Sequence, residues 1–142
     1  MIAKQLSVFI ENRKGRLEEV LNVLKSNGVN IISLSLADTT EYGLLRLIVN
    51  NAELGKETLS KDGFSTLVSD VLVIKIAHKA GSLQELLKVL AEYDINVEYM
   101  YGLSVDGQNA YIVLKASDME KAIKAVKENG IQTLTSEEIS AL

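Results

Sequence analysis

A chain that repeats itself folds as copies of one unit, and that limits its architecture more than any single motif does. Displaced by 66 positions, the distance from Gly15 to Gly81, this 142-residue sequence overlays on itself. Leu6 meets Leu72, Ile10 meets Ile76 and Gly15 meets Gly81. Leu17, Glu19, Leu21, Val23, Leu24 and Asn30 meet Leu83, Glu85, Leu87, Val89, Leu90 and Asn96. Between them fall similar pairs, Val8 with Ile74, Val20 with Leu86, Val29 with Ile95 and Ile31 with Val97. The identities cluster in the first half of each copy, while the second halves agree in pattern more than in letters. Two units follow, 1–69 and 70–142, with a linker almost absent.

Each copy carries the same run of periodicities. Leu6, Val8 and Ile10 alternate with Gln5, Ser7 and Phe9, which predicts a strand with one buried face, and Leu72, Ile74 and Ile76 repeat it. After a short polar turn, Leu17, Val20, Leu21 and Leu24 fall at helical spacing, as do Leu83, Leu86, Leu87 and Leu90. Gly28 suits a helix stop, and Asp94 holds the matching place. Strands are expected over 30–37 and 44–49, joined by a turn around Thr39 to Tyr42, and over 96–105 and 110–115, joined by a hairpin at Asp106-Gly107. A second helix is expected from Asn51 and from Ser117, where Ser117 and Glu120 have capping-box spacing, with Gly130 ending the latter. Last strands are expected over 64–69 and 131–134. The order βαββαβ, twice, predicts an α+β chain: two ferredoxin-like units in tandem, each an antiparallel sheet with its helices on one face.

Composition narrows the function classes. There is no cysteine, so no disulfide and no thiolate chemistry, and His78 is the one histidine, so no histidine cluster can bind a metal. No phosphate-binding glycine motif and no nucleophile-elbow sequence occurs. A net charge of −4 disfavours nucleic acid, and no apolar run approaches the ~20 residues of a membrane span. We therefore expect no catalytic residue, no metal, no cofactor, no nucleic-acid partner and no membrane partner, in a cytoplasmic chain.

The first strand-to-helix turn stands out. It reads Asn12-Arg13-Lys14-Gly15-Arg16-Leu17 in one copy and His78-Lys79-Ala80-Gly81-Ser82-Leu83 in the other. Glycine lets a backbone approach a ligand, and the first amides of a helix have no intrahelical acceptor, so they can receive a carboxylate. Asn30 and Asn96 open the second strands, where their amides could meet an α-amino or α-carboxyl group. The plainer alternative stays open: glycine and asparagine also serve turns for their own sake.

At these residues the chain resembles the ACT domain. The signature of that family is an Asn/Asp-Arg-Pro-Gly-x-Leu turn, a leucine-rich helix and then Gly-x-Asn-Ile. Asn12-Arg13-Lys14-Gly15-Arg16-Leu17 followed by Gly28-Val29-Asn30-Ile31 is similar to it, and Lys79-Ala80-Gly81-Ser82-Leu83 followed by Asp94-Ile95-Asn96-Val97 is a looser match. Lys14 and Ala80 stand where the family has proline, and His78 replaces its Asn or Asp. ACT domains are regulatory βαββαβ modules that bind amino acids at interfaces between paired domains and control enzymes of amino-acid metabolism. The resemblance implies ligand contacts from Asn12, Arg13, Lys14, Gly15, Arg16, Leu17, Asn30 and Ile31, and from His78, Lys79, Ala80, Gly81, Ser82, Leu83, Asn96 and Val97.

The expected function is thus a non-catalytic sensor that binds a free amino acid at an interface between two ACT-like units, within the chain or across a homodimer, and acts through a metabolic enzyme or regulator. A second reading is an interaction module without ligand, using the apolar cluster Tyr99, Met100 and Tyr101. A third is a small acylphosphatase-like hydrolase, for which Arg13 or Arg16 with Asn30 would have to come together.

Overall fold

A computed structural model of the chain describes residues 2–38 and 41–142. The turn expected around Thr39 therefore lies partly outside the described residues. The chain divides into two compact units, Lys4–Ser69 on the one hand and Asp70–Leu142 with the N-terminal residues through Ala3 on the other.

The first unit contains β1 (Ala3–Glu11), α1 (Arg16–Ser26), β2 (Ile31–Asp38), β3 (Tyr42–Val49), α2 (Ala52–Lys61) and the start of β4 (Ser65–Ala77). Its strands lie in the order β2-β3-β1 with β4 next to β1. β1 and β3 are antiparallel, with Leu6 opposite Leu47 and Val8 opposite Leu45, so their apolar side chains share one face. Val20 and Leu24 from α1 and Leu59 from α2 pack on that face, which makes a core with Leu6, Val8, Ile10, Leu45, Leu47 and Val49. The other face of β1 departs from simple alternation. Gln5 and Ser7 are also buried, and the Gln5 amide donates to the Ser7 hydroxyl at 3.3 Å. Buried polar side chains of this kind are held by hydrogen bonds.

The second unit contains the rest of β4, α3 (Ser82–Glu92), β5 (Val97–Val105), β6 (Asn109–Ala116), α4 (Met119–Glu128), β7 (Gln132–Thr133) and α5 (Ser136–Ser140). Its strands lie in the order β5-β6-β4-β7. Leu72 and Ile74 pack with Leu86 and Leu90 from α3 and with Ala122, Ala125 and Val126 from α4. Two βαββαβ units in tandem, with antiparallel pairing and helices on one face, are the observed fold.

Helix ends follow local chemistry. Gly28 has φ 72°, and Asp94 takes the same left-handed conformation at φ 56° without being glycine. The Asn51 side chain caps α2 by accepting the Leu54 N–H at 3.1 Å. The Ser117 box is not formed. Asp118 is the N-cap of α4 and accepts the Lys121 N–H at 3.0 Å, because the Ser117 hydroxyl already accepts from the Asn96 amide at 3.0 Å. The capping box of this unit is instead Thr135 with Glu138, on α5, a helix the periodicities do not announce. The last strand is shorter than expected: β7 pairs with β4 only at Ile74–Thr133 and Lys75–Gln132.

Candidate functional site

The two strand-to-helix turns have the same backbone. In the first, the Asn12 N–H donates to the Glu41 carbonyl at 3.0 Å, Arg13 to Glu11 at 2.8 Å, Arg16 to Arg13 at 3.3 Å and Glu19 to Gly15 at 3.1 Å. In the second, His78 donates to Gln108 at 2.8 Å, Lys79 to Ala77 at 3.0 Å, Ser82 to Lys79 at 3.3 Å and Glu85 to Gly81 at 2.9 Å. Gly15 and Gly81 adopt φ 88° and 90°, in the left-handed region that excludes most side chains by strain. Neither glycine is crowded, since a Cβ there would meet no atom within 4 Å. These residues are glycine for the bend they make. The amides that follow, of Leu17 and Glu18 and of Leu83 and Gln84, have no intrahelical acceptor.

The side chains around these backbones differ. The Arg16 guanidinium lies 4.2 Å over the Phe64 ring and pairs with Glu19. Its Nε is buried without a partner. Arg13 pairs with Glu11 at 2.9 Å. In the second unit Ser82 stands where the first has Arg16, and Ile131 where it has Phe64. The latter match rests on the backbone, because Phe64 donates to Leu59 at 3.0 Å and Ile131 donates to Val126 at 2.9 Å, each five residues back past a left-handed glycine. Beside Ser82 lies an open cavity of about 540 Å³, reached by Lys75, Lys79, Glu85, Asn109 and Gln132. Asn109 is held there by the hairpin. The carboxylate of Asp106 accepts the Gln108 and Asn109 N–H groups at 2.9 and 2.7 Å, and these two bonds lower its pKa from 3.8.

Asn12, Lys14, His78, Lys79 and Ala80 are exposed on the turns, and Leu17 packs half-buried against the core. Asn30 and Asn96 sit elsewhere. α1 separates Asn30 from the turn by its full 11 residues, roughly 16 Å at 1.5 Å per residue. The Asn30 N–H donates to the Asn50 side chain at 2.8 Å, and Asn30 with Ile31 borders a shallow cavity of about 410 Å³ against Leu21 and Lys25. The Asn96 side chain is used on Ser117, and Val97 is half-buried. No single unit brings the turn and the asparagine together. The same separation keeps Arg13 and Arg16 away from Asn30, so the hydrolase constellation is not assembled within the unit. No group of three or more metal-ligating side chains occurs among the described residues. None of the described helices is long and apolar enough to cross a membrane.

A doubled βαββαβ unit with a left-handed glycine before the first helix of each copy defines a class of domain rather than a single protein. The chain belongs to the ACT domain pair family, whose match runs over residues 1–142. The crystal structure of protein BT0572 from Bacteroides thetaiotaomicron is similar along its length: 33% identity over 100% of this chain and 98% of that one, with a TM-score of 0.94. The regulatory subunit of aspartate kinase from Thermus thermophilus, in its ligand-free form, shares the fold at 16% identity, covering 90% of this chain and 96% of that one, with a TM-score of 0.63. The corresponding subunit from Thermus flavus is similar at 15% identity and a TM-score of 0.61, over 89% of this chain and 95% of that one. No curated protein matches the chain.

Lys75, Glu85, Asn109 and Gln132 escape a search for turn motifs, because they come from four different elements. The exchange of Arg16 for Ser82, between the matched Gly15/Gly81 and Leu17/Leu83, is the sequence signal nearest to them.

Proposed function

We propose that the chain is a non-catalytic regulatory module that binds a free α-amino acid at its strand-to-helix turns and passes the change to a metabolic enzyme or regulator. The observation that carries this reading is the turn built twice with the same bonds, a left-handed glycine opening onto unfilled helix amides. Such amides accept a carboxylate, and every α-amino acid has one. Asn12 and His78 stand at the entrance of the two turns, with Arg13, Lys14, Lys79 and Ala80 lining the approach. Membership of the ACT domain pair family supports a regulatory role. A ligand that prefers one conformation of its module shifts the population toward it, and that shift is the output. A cytoplasmic location goes with this role, where free amino acids and the enzymes that make them meet.

Thermal unfolding in the presence of each of the twenty L-amino acids, at millimolar concentration, tests the reading. A ligand present at a hundred times its Kd adds about 2.7 kcal/mol, a shift of several degrees for a chain of this size. One amino acid, or one chemical group of them, is expected to raise the midpoint. A flat panel overturns the reading and favours an interaction module, in which Met100 and the stacked rings of Tyr99 and Tyr101, 6.5 Å apart, would meet a protein partner.

The same proposal includes a homodimer, because β2 and β5 are terminal strands of the sheet order and edge strands tend to find partners. Sedimentation is expected to give twice the chain mass of 15.5 kDa, and a monomer at working concentration would remove this part of the proposal.

A further inference from the structure

Asparagine stands directly before glycine at two places, Asn27-Gly28 and Asn129-Gly130. Both are helix stops. Asn27 is the C-cap of α1 and Asn129 that of α4, and the glycines are left-handed, at φ 72° and 64°. Such a pair is thermolabile, because a glycine nitrogen has no side chain to keep it from the neighbouring side-chain carbonyl. The reaction needs a freed glycine N–H and an asparagine amide that can turn. The fold restrains both sites, but unequally. The Gly28 N–H donates to Lys25 and the Gly130 N–H to Lys127, each at 3.2 Å. The Asn27 amide donates to the Val23 carbonyl and the Asn129 amide to the Ala125 carbonyl, each at 2.8 Å. Asn129 alone of the two has a second bond. Its amide also donates to the Tyr93 hydroxyl at 3.1 Å, and that hydroxyl donates to the Glu128 carboxylate at 2.9 Å. Tyr93 is the C-cap of α3 and packs against the second core, so this restraint is anchored on a different helix. In the repeat, Asn27 itself stands where α3 has Tyr93. The Asn27 amide is therefore held within α1 alone, and it borders an open cavity of about 420 Å³ with Thr58, Lys61 and Asp62.

We propose that Asn27 is a site of spontaneous deamidation, and that the Tyr93 hydroxyl guards Asn129 against the same reaction. When the last turn of α1 frays, the Gly28 nitrogen is released from Lys25, gives its proton to water and attacks Cγ of Asn27. A bond forms between that nitrogen and Cγ. The bond from Cγ to Nδ2 breaks, and Nδ2 takes up a proton and leaves as ammonia. The cyclic imide then adds one water. Opening at one carbonyl leaves aspartate; opening at the other leaves isoaspartate, with the main chain routed through the side-chain carbon. Either product puts a negative charge at the C-terminal end of α1, where the helix dipole disfavours it, and on the same cavity as Asp62. Isoaspartate also lengthens the main chain at a stop held by the Gly28 bond to Lys25 and by the Val29 N–H on Leu24 at 2.9 Å. The change therefore falls on the segment that leads into Asn30 and β2.

The test keeps the full chain at mildly alkaline pH and body temperature for days, folded in one series and in urea in another. Samples are digested, and the peptides that hold Asn27 and Asn129 are weighed, since exchange of an amide NH2 for OH raises the mass. In urea both peptides are expected to convert at similar rates. In the folded chain Asn27 is expected to convert about fivefold faster than Asn129 or more, the factor that one additional hydrogen bond supplies. Tyr93→Phe keeps the ring and removes the hydroxyl, and is expected to bring Asn129 to the rate of Asn27. Glu128→Ala, an exposed change that frees the Tyr93 hydroxyl, is expected to raise the Asn129 rate part of the way. Asn27 is the internal reference in both variants, and its rate is expected to stay as in the parent chain. Equal rates in the folded parent chain, or faster conversion at Asn129, overturn the proposal. A folded chain in which neither peptide converts, while both convert in urea, overturns it as well. An Asn129 that stays protected in both variants removes the guard assigned to Tyr93.

Discussion

The first and second units solve one backbone problem identically and one side-chain problem differently. Both turns make the same four hydrogen bonds around a left-handed glycine. In the first unit a cation and an aromatic ring then fill the space behind the turn, and the carboxylate of Glu19 completes the charge. In the second unit a serine and an isoleucine leave that space open, and Lys75, Lys79 and Glu85 around it have no ion-pair partner among the described residues. Duplication allows this division, because each copy of a turn keeps its backbone while its side chains change. What the pair teaches is that backbone equivalence does not carry side-chain equivalence. The groups that close a site on themselves are of the same kinds as the groups that would close on a ligand.

The largest test of this comparison is truncation of the filling. Phe64 is 5% exposed and part of the first core, so Phe64→Ala is expected to cost about 3–5 kcal/mol, as is usual for emptying a buried aromatic site. Ile131 borders a cavity that is already open, so Ile131→Ala is expected to cost roughly 1–2 kcal/mol. Denaturant unfolding of both variants measures the two values. Equal costs would mean that the two places are packed alike and that the contrast is lost.

The glycines test the other half of the comparison, the shared backbone. Gly15→Ala and Gly81→Ala meet open space and therefore suffer only the left-handed strain, about 1–2 kcal/mol each. The two costs are expected to agree within error. A difference of a kilocalorie or more would show that one turn relaxes where the other cannot, and would separate the backbones as well as the side chains.

Smaller effects follow at Arg16 and Ser82. Arg16→Ala removes a cation–π contact and the packing of a long stem, at about 1 kcal/mol, partly offset because a buried unpartnered Nε goes with it. Ser82→Ala substitutes a better helix former at the first position of α3, so the variant is expected to be a few tenths of a kcal/mol more stable. If Ser82→Ala instead loses stability, the hydroxyl has an intramolecular role and the comparison weakens on its second-unit side.

The sequence carries the repeat, the strands and the helix positions plainly, because they are written in period-two and helical spacing that survives from one copy to the other. Gly28 and Asp94 can be paired as helix stops by position alone, and both are left-handed. The Arg16–Phe64 stack is not legible in the same way. Its members are 48 positions apart, and their second-unit equivalents lie 66 and 67 positions on, so one offset does not recover both. Ser117 illustrates a local rule overridden by a tertiary one: its spacing to Glu120 suits a cap, but Asn96 takes the hydroxyl first. The turn residues are legible as a cluster. The cavity behind them is not, because Lys75, Ser82, Asn109 and Gln132 come from separate elements that only the fold gathers.

The smallest expected asymmetry is in acid. Among the described residues, the two carboxylates with lowered pKa values, Asp106 and Glu138, both belong to the second unit. Asp106 is held low by the N–H groups of Gln108 and Asn109, and Glu138 by the Thr135 N–H and hydroxyl, which donate to it at 3.1 Å each. A carboxylate whose pKa is lower folded than unfolded adds stability above its unfolded value, and that stability is lost as pH falls through the folded value. The unfolded references are 3.8 and 4.5, so the loss starts near those values and continues below them. Both groups are solvent-exposed, which keeps the effect small. Amide hydrogen exchange followed from neutral pH downward is expected to show protection falling first at the Asp106 hairpin and at α5, with the first unit's α1 and β1 retained. Asp106→Asn should flatten the response at the hairpin alone and leave that at α5, because the two caps are separate sets of bonds. A simultaneous loss in both units would instead mean that acid acts on a shared property of the chain, such as its net charge, and that the caps do not set the order.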